Sequence, residues 1–113
     1  MGRAEFNVFR FLGSVIRMNV HLQDRAEVAL RSLDPPEREK VDAALRMLKE
    51  TDLDGLSGSQ KLRALKLASQ EKLYSFRASN ILRLIVSYRP SKWVVEDIME
   101  RDRLARLLPA NGR

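Results

Sequence analysis

Arginine is the residue type in this sequence whose pattern most clearly suggests a chemical function. It recurs through the segment 73–104, where β-branched and other apolar residues predict strands. A guanidinium group can give two parallel hydrogen bonds to the oxygens of a phosphate, so a sheet surface that collects several of them would bind phosphate. The arginines of this segment are Arg77, Arg83, Arg89, Arg101 and Arg103.

The net charge of +6 is concentrated in the second half of the 113-residue chain. Residues 1–59 hold 9 Lys and Arg against 10 Asp and Glu, whereas residues 60–113 hold 12 against 5. This asymmetry indicates an anionic partner that meets one surface of the fold. A basic surface that is only solvated explains the charge equally well, so the composition leaves both interpretations open.

Several other chemistries have no support in the sequence. There is no cysteine, which excludes disulfides, thiolate nucleophiles and zinc sites built on cysteine. His21 is the one histidine, and because it lies on the polar face of an alternating segment we interpret it as a surface residue. A catalytic serine lacks a set of His and Asp partners. The sequence therefore predicts no metal site and no cofactor.

The first half of the chain predicts one strand and two helices. The segment 15–22 alternates apolar and polar residues, as a half-buried strand does. The two helices follow, with Asp24 and Asp34 as predicted N-caps and Glu27 and Glu37 as their capping-box partners. Because the connection between them is short, we expect an antiparallel helix hairpin that packs on a sheet.

The second half predicts a break followed by an antiparallel meander. Thr51–Gln60 is rich in turn residues, and Lys61–Gln70 is compatible with either an edge strand or a helical turn. Three strands are predicted over residues 73–77, 81–88 and 93–99. The chain is therefore predicted to be an α+β protein of order β-α-α-β-β-β, in which an antiparallel sheet carries the helix hairpin on one face.

Domain organisation and location follow from length and hydropathy. We interpret residues 15–113 as one domain and residues 1–14 as an N-terminal extension whose order the sequence leaves open. No apolar run approaches the roughly 20 residues that span a bilayer. The N-terminal segment also lacks the continuous apolar core of a signal peptide. We therefore predict a cytoplasmic protein with no membrane partner.

The arginines are expected on the sheet face that the helices leave open. Arg77 and Arg83 fall on adjacent antiparallel strands, where residues on the same side approach to about 5 Å. Arg101 and Arg103 lie two residues apart, so they would point the same way if the segment 101–108 were extended rather than a short helix. A competing interpretation pairs the arginines with nearby carboxylates, which are Glu96, Asp97, Glu100 and Asp102.

The order of the elements and the pattern of the meander resemble the RelE/ParE superfamily of bacterial toxin–antitoxin toxins. The resemblance covers about residues 15–108, and the segment LDPPEREKVDAALRMLKE is similar to the second helix of the family. The meander residues that match the family's recurring string are Leu73, Tyr74, Phe76, Arg77, Leu82, Arg83, Leu84, Ile85, Val94, Val95, Ile98 and Arg101.

This resemblance implies a ribosome-dependent endoribonuclease that cleaves mRNA without a metal ion. In such toxins the ribose 2′-hydroxyl attacks the adjacent phosphate, and cations and an acid–base pair assist the step. The resemblance places Arg83 at the scissile phosphate and Arg101 beyond the last strand, and we add Arg77 to these catalytic candidates. The predicted RNA-binding residues are Lys61, Arg63, Lys66 and Arg103.

The sequence departs from the family at the positions expected to move protons. No tyrosine, histidine or other aromatic residue follows Trp93, and the paired lysines common on the first meander strand are replaced by Leu73 and Ser75. Candidates for the acid or base are Glu100, Lys72 and Lys66.

The sequence leaves two other functions open. One is a ParE-like inhibitor of DNA gyrase without nuclease activity, which the missing terminal Tyr or His favours. The other is a catalytically decayed member that binds only antitoxin or RNA. All three interpretations imply a small acidic antitoxin as partner, and the nuclease interpretation adds the ribosome and mRNA.

Overall fold

The computed structural model describes residues 17–67, 69 and 71–108 of the chain. The proposed extension 1–14 lies outside these residues, as does the boundary at residue 15. Along the chain the elements are β1 (Asn19–Leu22), α1 (Asp24–Arg31), α2 (Pro35–Lys49), α3 (Leu53–Ser57), β2 (Leu62–Ala64), β3 (Tyr74–Arg77), β4 (Leu82–Arg89), β5 (Lys92–Glu100) and α4 (Arg101–Leu107).

The strands form one five-stranded sheet in the order β1-β5-β4-β3-β2. The pairs β2–β3, β3–β4 and β4–β5 are antiparallel, whereas β1 runs parallel to β5. A parallel pair requires a long crossover connection, and the segment between β1 and β5 supplies one. The predicted α+β class with a terminal meander is confirmed, and the structure adds a fifth strand, β2, within the segment whose conformation the sequence left open.

One face of the sheet and the helix hairpin enclose the core. From α2, Val41, Ala44 and Leu48 are buried, as their spacing along one helix face predicts. They pack with alternate strand residues, among them Phe76 and Leu84, which are fully buried. The buried hydrophobic cluster comprises Met18, Ala26, Val41, Ala44, Leu48, Leu56, Leu62, Phe76, Leu82, Leu84, Val86, Trp93, Val95 and Ile98.

The predicted capping boxes are not formed. Helix α1 begins at Asp24 itself, with Gln23 as its N-cap, so the prediction of Asp24 as the cap is wrong. Asp34 is the N-cap of α2 as predicted, and Pro35 follows it as the first helical residue, but the Asp34 side chain makes no capping hydrogen bond. The acidic first turns instead stabilise these helix ends through the helix dipole.

The turn-rich break contains a short helix that the sequence analysis missed. Helix α3 is held at its start by Asp52, whose Oδ1 accepts a hydrogen bond from the backbone N–H of Gly55 at 2.8 Å. Leu56 anchors it in the core. The nearby carbonyl of Thr51 accepts a hydrogen bond of 2.9 Å from Trp93 Nε1, which ties this segment to β5.

A tight turn joins the last two strands of the meander. Pro90 and Ser91 form a two-residue connection between β4 and β5, and Ser91 takes a positive φ of 60°. A register shift opposite Ile85 and Val86 leaves Glu96 without a partner on β4, so Glu96 and Asp97 lie where the bulged strand bends.

Among the described residues, no helix combines the length and the apolar character that crossing a membrane demands.

Candidate functional site

A groove of about 470 Å³ lies on the face of the sheet that is turned away from the helix hairpin. Strands β2, β3 and β4 form its floor, and α4 forms one wall. We call it the cationic groove. Its described lining residues are Gln60, Lys61, Arg63, Ala64, Leu65, Lys66, Ser75, Arg77, Arg83, Arg101, Leu104, Ala105 and Leu108.

Strand alternation explains why the floor of the groove is polar and positively charged. Along β3, Phe76 enters the core, whereas its neighbours Ser75 and Arg77 lie on the opposite face. The register places Arg77 directly opposite Arg83 and Ser75 opposite Arg63. Three strands therefore present arginines to the same side of the sheet.

The charges in the groove are all of one sign. Among its described lining residues, none carries a carboxylate and six carry a positive charge. Like charges directly opposite each other on adjacent strands destabilise a sheet, so the Arg77–Arg83 pair has an energetic cost in the free protein. The six cations are Lys61, Arg63, Lys66, Arg77, Arg83 and Arg101.

Arg83 is the electrostatic centre of this cluster. Burial lowers the pKa of its guanidinium below the ordinary value, and three neighbouring guanidiniums lower it further. In order of effect these neighbours are Arg77, Arg101 and Arg63. A lowered pKa means that the fold disfavours the charged form of Arg83, and a bound anion would relieve that penalty.

The turn between β3 and β4 holds Arg83 in place. Its Nη1 donates to the carbonyl oxygen of Ser79 at 2.8 Å and to that of Leu82 at 3.1 Å. The Ser79 hydroxyl oxygen in turn accepts from the backbone N–H of Ile81 and of Leu82, at 3.2 and 3.0 Å. One edge of the guanidinium is thus fixed by backbone carbonyls, and no described carboxylate lies within salt-bridge distance of it.

Arg101 enters the groove from α4, directly after β5. Its backbone N–H donates to the carbonyl of Ile81 at 2.7 Å, which docks the start of α4 against the β3–β4 turn. Its Nε lies 3.4 Å from Asp102 Oδ1, but both side chains are mostly exposed. An exposed ion pair of this kind contributes about 1 kcal/mol at most, so Asp102 does not lock Arg101 away from an anion.

Three predicted residues lie outside the groove. Lys72 is exposed in the connection between β2 and β3, and Glu100 is the exposed N-cap of α4. Arg103 follows Arg101 in a helix, where residues two apart point in nearly opposite directions. The sequence left this segment open between an extended chain and a short helix, and because the helix forms, the two arginines do not point the same way.

The other predicted site residues converge on the groove. Arg77, Arg83 and Arg101 line it among the catalytic candidates, and Lys61, Arg63 and Lys66 line it among the RNA-binding candidates. Their roles remain predictions. Ser75 was not predicted, although its position two residues before Arg77 on the same strand already placed it on this face.

The other end of the same sheet face has the opposite charge. Residues of the α1 start, the β2–β3 connection, β4 and β5 enclose a recess that we call the acidic recess. Asp97 Oδ2 lies 3.9 Å from Arg25 Nη1, and Asp97 Oδ1 accepts from the N–H of Ile98 at 2.8 Å. Its lining residues are Gln23, Asp24, Arg25, Glu71, Leu73, Ile85, Glu96, Asp97 and Met99.

Comparison with known proteins identifies the fold. No family model and no curated protein matches the sequence. Among solved structures, the archaeal RelE–RelB complex from Pyrococcus horikoshii OT3 matches with a TM-score of 0.59 and 16% identity, over 77% of this chain and 98% of the other. The chain has the RelE-like toxin fold.

A second structure with the RelE-like fold is the YoeB dimer from Staphylococcus aureus. It matches with a TM-score of 0.50 and 16% identity, over 74% of this chain and 95% of the other. Both solved chains are covered almost completely, so the RelE-like fold accounts for nearly all of each of them. What they share with this chain is the fold.

Proposed function

We propose that the chain is a toxin of a type II toxin–antitoxin module, a ribosome-dependent endoribonuclease that cleaves mRNA without a metal ion. The observation that carries this proposal is the convergence of six cations over a groove with no described carboxylate. Such a surface suits a polyanion, and the RelE-like fold suits this class of toxin. The protein would act in the cytoplasm, where it meets ribosomes and mRNA.

The proposed reaction is attack of a ribose 2′-hydroxyl on the adjacent phosphorus. The 2′-oxygen loses its proton to solvent water as its bond to phosphorus forms, the bond from phosphorus to the 5′-oxygen breaks as the 5′-oxygen takes up a proton, and a 2′,3′-cyclic phosphate remains. The pentacoordinate phosphorane carries more negative charge than the starting diester, and Arg83 and Arg101 would stabilise it from two sides. Arg77, opposite Arg83, would share that charge.

Proton transfer is assigned to lysine in this proposal. Of the three residues considered for it, only Lys66 lines the groove, whereas Lys72 and Glu100 lie outside. Among the described groove residues, Lys61 and Lys66 are the side chains other than arginine that can release a proton to the leaving 5′-oxygen. We assign this role to Lys66.

The proposed protein partner is a small acidic antitoxin. The RelE-like chain from Pyrococcus horikoshii OT3 was solved as a complex with RelB. An acidic segment laid across the cationic groove would neutralise its positive charges and block the phosphate site at the same time.

Induction of the chain in bacterial cells tests this function. The unmutated chain should arrest growth and produce cuts in ribosome-bound messages, which primer extension detects. Arg83→Ala should abolish both effects, because it removes the central cation of the groove. Arg89→Ala is the matched control, since Arg89 is an exposed arginine of the same strand outside the groove, and it should leave both effects intact.

A second candidate function is binding without cleavage. It is favoured by one observation: no Tyr or His follows Trp93 in the sequence, and no described groove residue is a carboxylate, Tyr or His. Growth arrest accompanied by DNA breaks, with messages intact, would instead indicate a ParE-like inhibitor of DNA gyrase. A chain that is harmless on induction yet binds RNA or antitoxin would indicate a decayed member.

A further inference from the structure

A buried hydroxyl group lies in the floor of the cationic groove. Ser75 retains only 6% of its accessible surface, yet it lines the groove. Among the described residues, its Oγ has no hydrogen-bond partner. Buried polar side chains in folded proteins almost always have one, so a hydroxyl of this kind points to a ligand that supplies the missing partner.

A second serine on the same sheet face shows the usual arrangement. Ser87 retains 3% of its surface and lies two positions beyond Ile85, the cross-strand neighbour of Ser75. Its Oγ donates to Glu96 Oε2 at 2.9 Å. The two serines therefore share burial and face, and they differ in that the described structure provides an acceptor only for Ser87.

The side chains around Ser75 indicate the chemical class of the hydrogen-bond acceptor that its hydroxyl lacks. Arg63 lies directly opposite it on β2, and Arg77 lies two residues further along β3 on the same face. Arg83, opposite Arg77, is its diagonal neighbour on β4. Directly opposite and diagonal positions are about 5 and 7–8 Å away, within the reach of an arginine side chain. Three arginines thus occupy positions next to Ser75 on this face, from which their side chains can reach its hydroxyl.

We propose that Ser75 Oγ donates a hydrogen bond to a phosphate oxygen of single-stranded RNA. The phosphate would sit between the guanidiniums of Arg63, Arg77 and Arg83, above the serine. Guanidiniums and a hydroxyl all donate hydrogen bonds, and a phosphate oxygen accepts several of them.

The size of Ser75 is part of the proposed site. A short side chain leaves a depression among three long ones, so the phosphate can approach the sheet. Ser75 is then a positioning residue, because it fixes the depth and orientation of the phosphate between the arginines. The choice of RNA as the source of the phosphate rests on the proposed function, whereas the oxyanion site itself does not.

The first test measures inorganic phosphate binding from backbone amide chemical shifts. Ser75→Ala keeps the depression and removes the donor, so we expect the dissociation constant to rise about tenfold, as the loss of one hydrogen bond to a charged group predicts. Ser75→Thr restores the hydroxyl and should recover most of the affinity. Ser87→Ala removes an equally buried hydroxyl from the same face and should leave the affinity unchanged.

The second test uses a hexauridine with 2′-O-methyl groups, which cannot undergo attack by a 2′-hydroxyl. Fluorescence anisotropy should show the same order of affinities, with Ser75→Ala weakest. Equal affinities of wild type and Ser75→Ala for both probes would overturn the site. An effect on inorganic phosphate alone would overturn the assignment to RNA.

These binding results are separable from the outcome of the induction experiment. If Ser75-dependent RNA binding is found but induced cells show intact messages, the site stands and the nuclease function fails. If messages are cut equally well by wild type and Ser75→Ala, and neither probe distinguishes the two proteins, the nuclease function stands and the role of Ser75 fails. Melting curves of each variant verify that the proteins compared are folded.

Discussion

The cationic groove and the acidic recess occupy two ends of one sheet face, and strand β4 runs between them. Arg83 belongs to the groove and Ile85, two residues further along the same strand, belongs to the recess. Strand alternation alone put both residues on this face. The sign of charge at each end is then set mainly by the neighbouring strands and connections, which bring arginines and lysines of β2, β3 and the segment after β2 to the groove and carboxylates of β5 and the β2–β3 connection to the recess.

The two regions also differ in how their charged groups are satisfied. In the recess, Asp97 accepts from a backbone N–H and faces Arg25, and Glu96 accepts from Ser87. In the groove, Arg83 meets only backbone carbonyls within the described structure. Carboxylates with local partners do not require a ligand, whereas clustered guanidiniums gain from one. A polyanion should therefore bind at the groove and avoid the recess.

The largest effect is expected when a carboxylate is introduced into the groove. Arg83→Glu removes a charge-assisted contact of about 1.5–3 kcal/mol and adds repulsion of the phosphate. Affinity for the 2′-O-methyl hexauridine should fall at least about 100-fold, as measured by fluorescence anisotropy. Arg89→Glu makes the same charge change outside the groove and should have a much smaller effect. Equal losses in both variants would mean that net charge, and not the groove, determines binding.

A smaller loss is expected at the wall of the groove. Arg101 is more exposed than Arg83, so Arg101→Ala should weaken binding of the same RNA by about tenfold at low salt. The slope of log K against log salt concentration should also become shallower by about 0.7, as the loss of one phosphate contact on a single strand predicts. Arg103→Ala, two residues away on another side of α4, should preserve the slope. An unchanged slope in Arg101→Ala would remove Arg101 from the site.

The smallest effect is expected from the recess. Asp97 lies across β4 from the groove floor, opposite Ile85, so its charge reaches the phosphate only through long-range repulsion. Asp97→Asn should increase RNA affinity about twofold to threefold at low ionic strength, and the gain should vanish at about 1 M salt, where the Debye length is about 3 Å. Glu39→Gln, an exposed change on α2, serves as control. Weaker binding by Asp97→Asn would contradict the proposed division of the sheet face.

Strand periodicity made much of this arrangement predictable from the sequence. The alternation in β3 and β4 was sufficient to place Arg77 and Arg83 on the open face, because side chains of a strand alternate between its two sides. The spacing of the apolar residues along α2 likewise predicted that Val41, Ala44 and Leu48 are buried against the other face of the sheet. These features depend on local spacing, which the sequence displays directly.

Features that depend on tertiary contacts were not predictable in the same way. Arg103 was predicted beside Arg101 at the RNA-binding site but does not line the groove. Its direction could not be predicted because the conformation of residues 101–107 depends on docking against the β3–β4 turn. Helix α3 was missed because two glycines and several polar residues resemble a turn, and its stability comes from Leu56 in the core. Ser75 could not be predicted as a site residue because a serine between apolar residues carries no distinctive signal until its neighbours across the sheet are known.

For the proposed RNA binding to hold, the arginines of the groove, and not those elsewhere, must contact the phosphates of RNA. The most direct measurement follows the Nε–Hε NMR signals of the arginines while the 2′-O-methyl hexauridine is added. We expect the signals of Arg63, Arg77, Arg83 and Arg101 to shift together with one dissociation constant, while Arg25 in the acidic recess stays unchanged. Shifts confined to Arg25 or to arginines outside the groove, with Arg83 unaffected, would contradict the account.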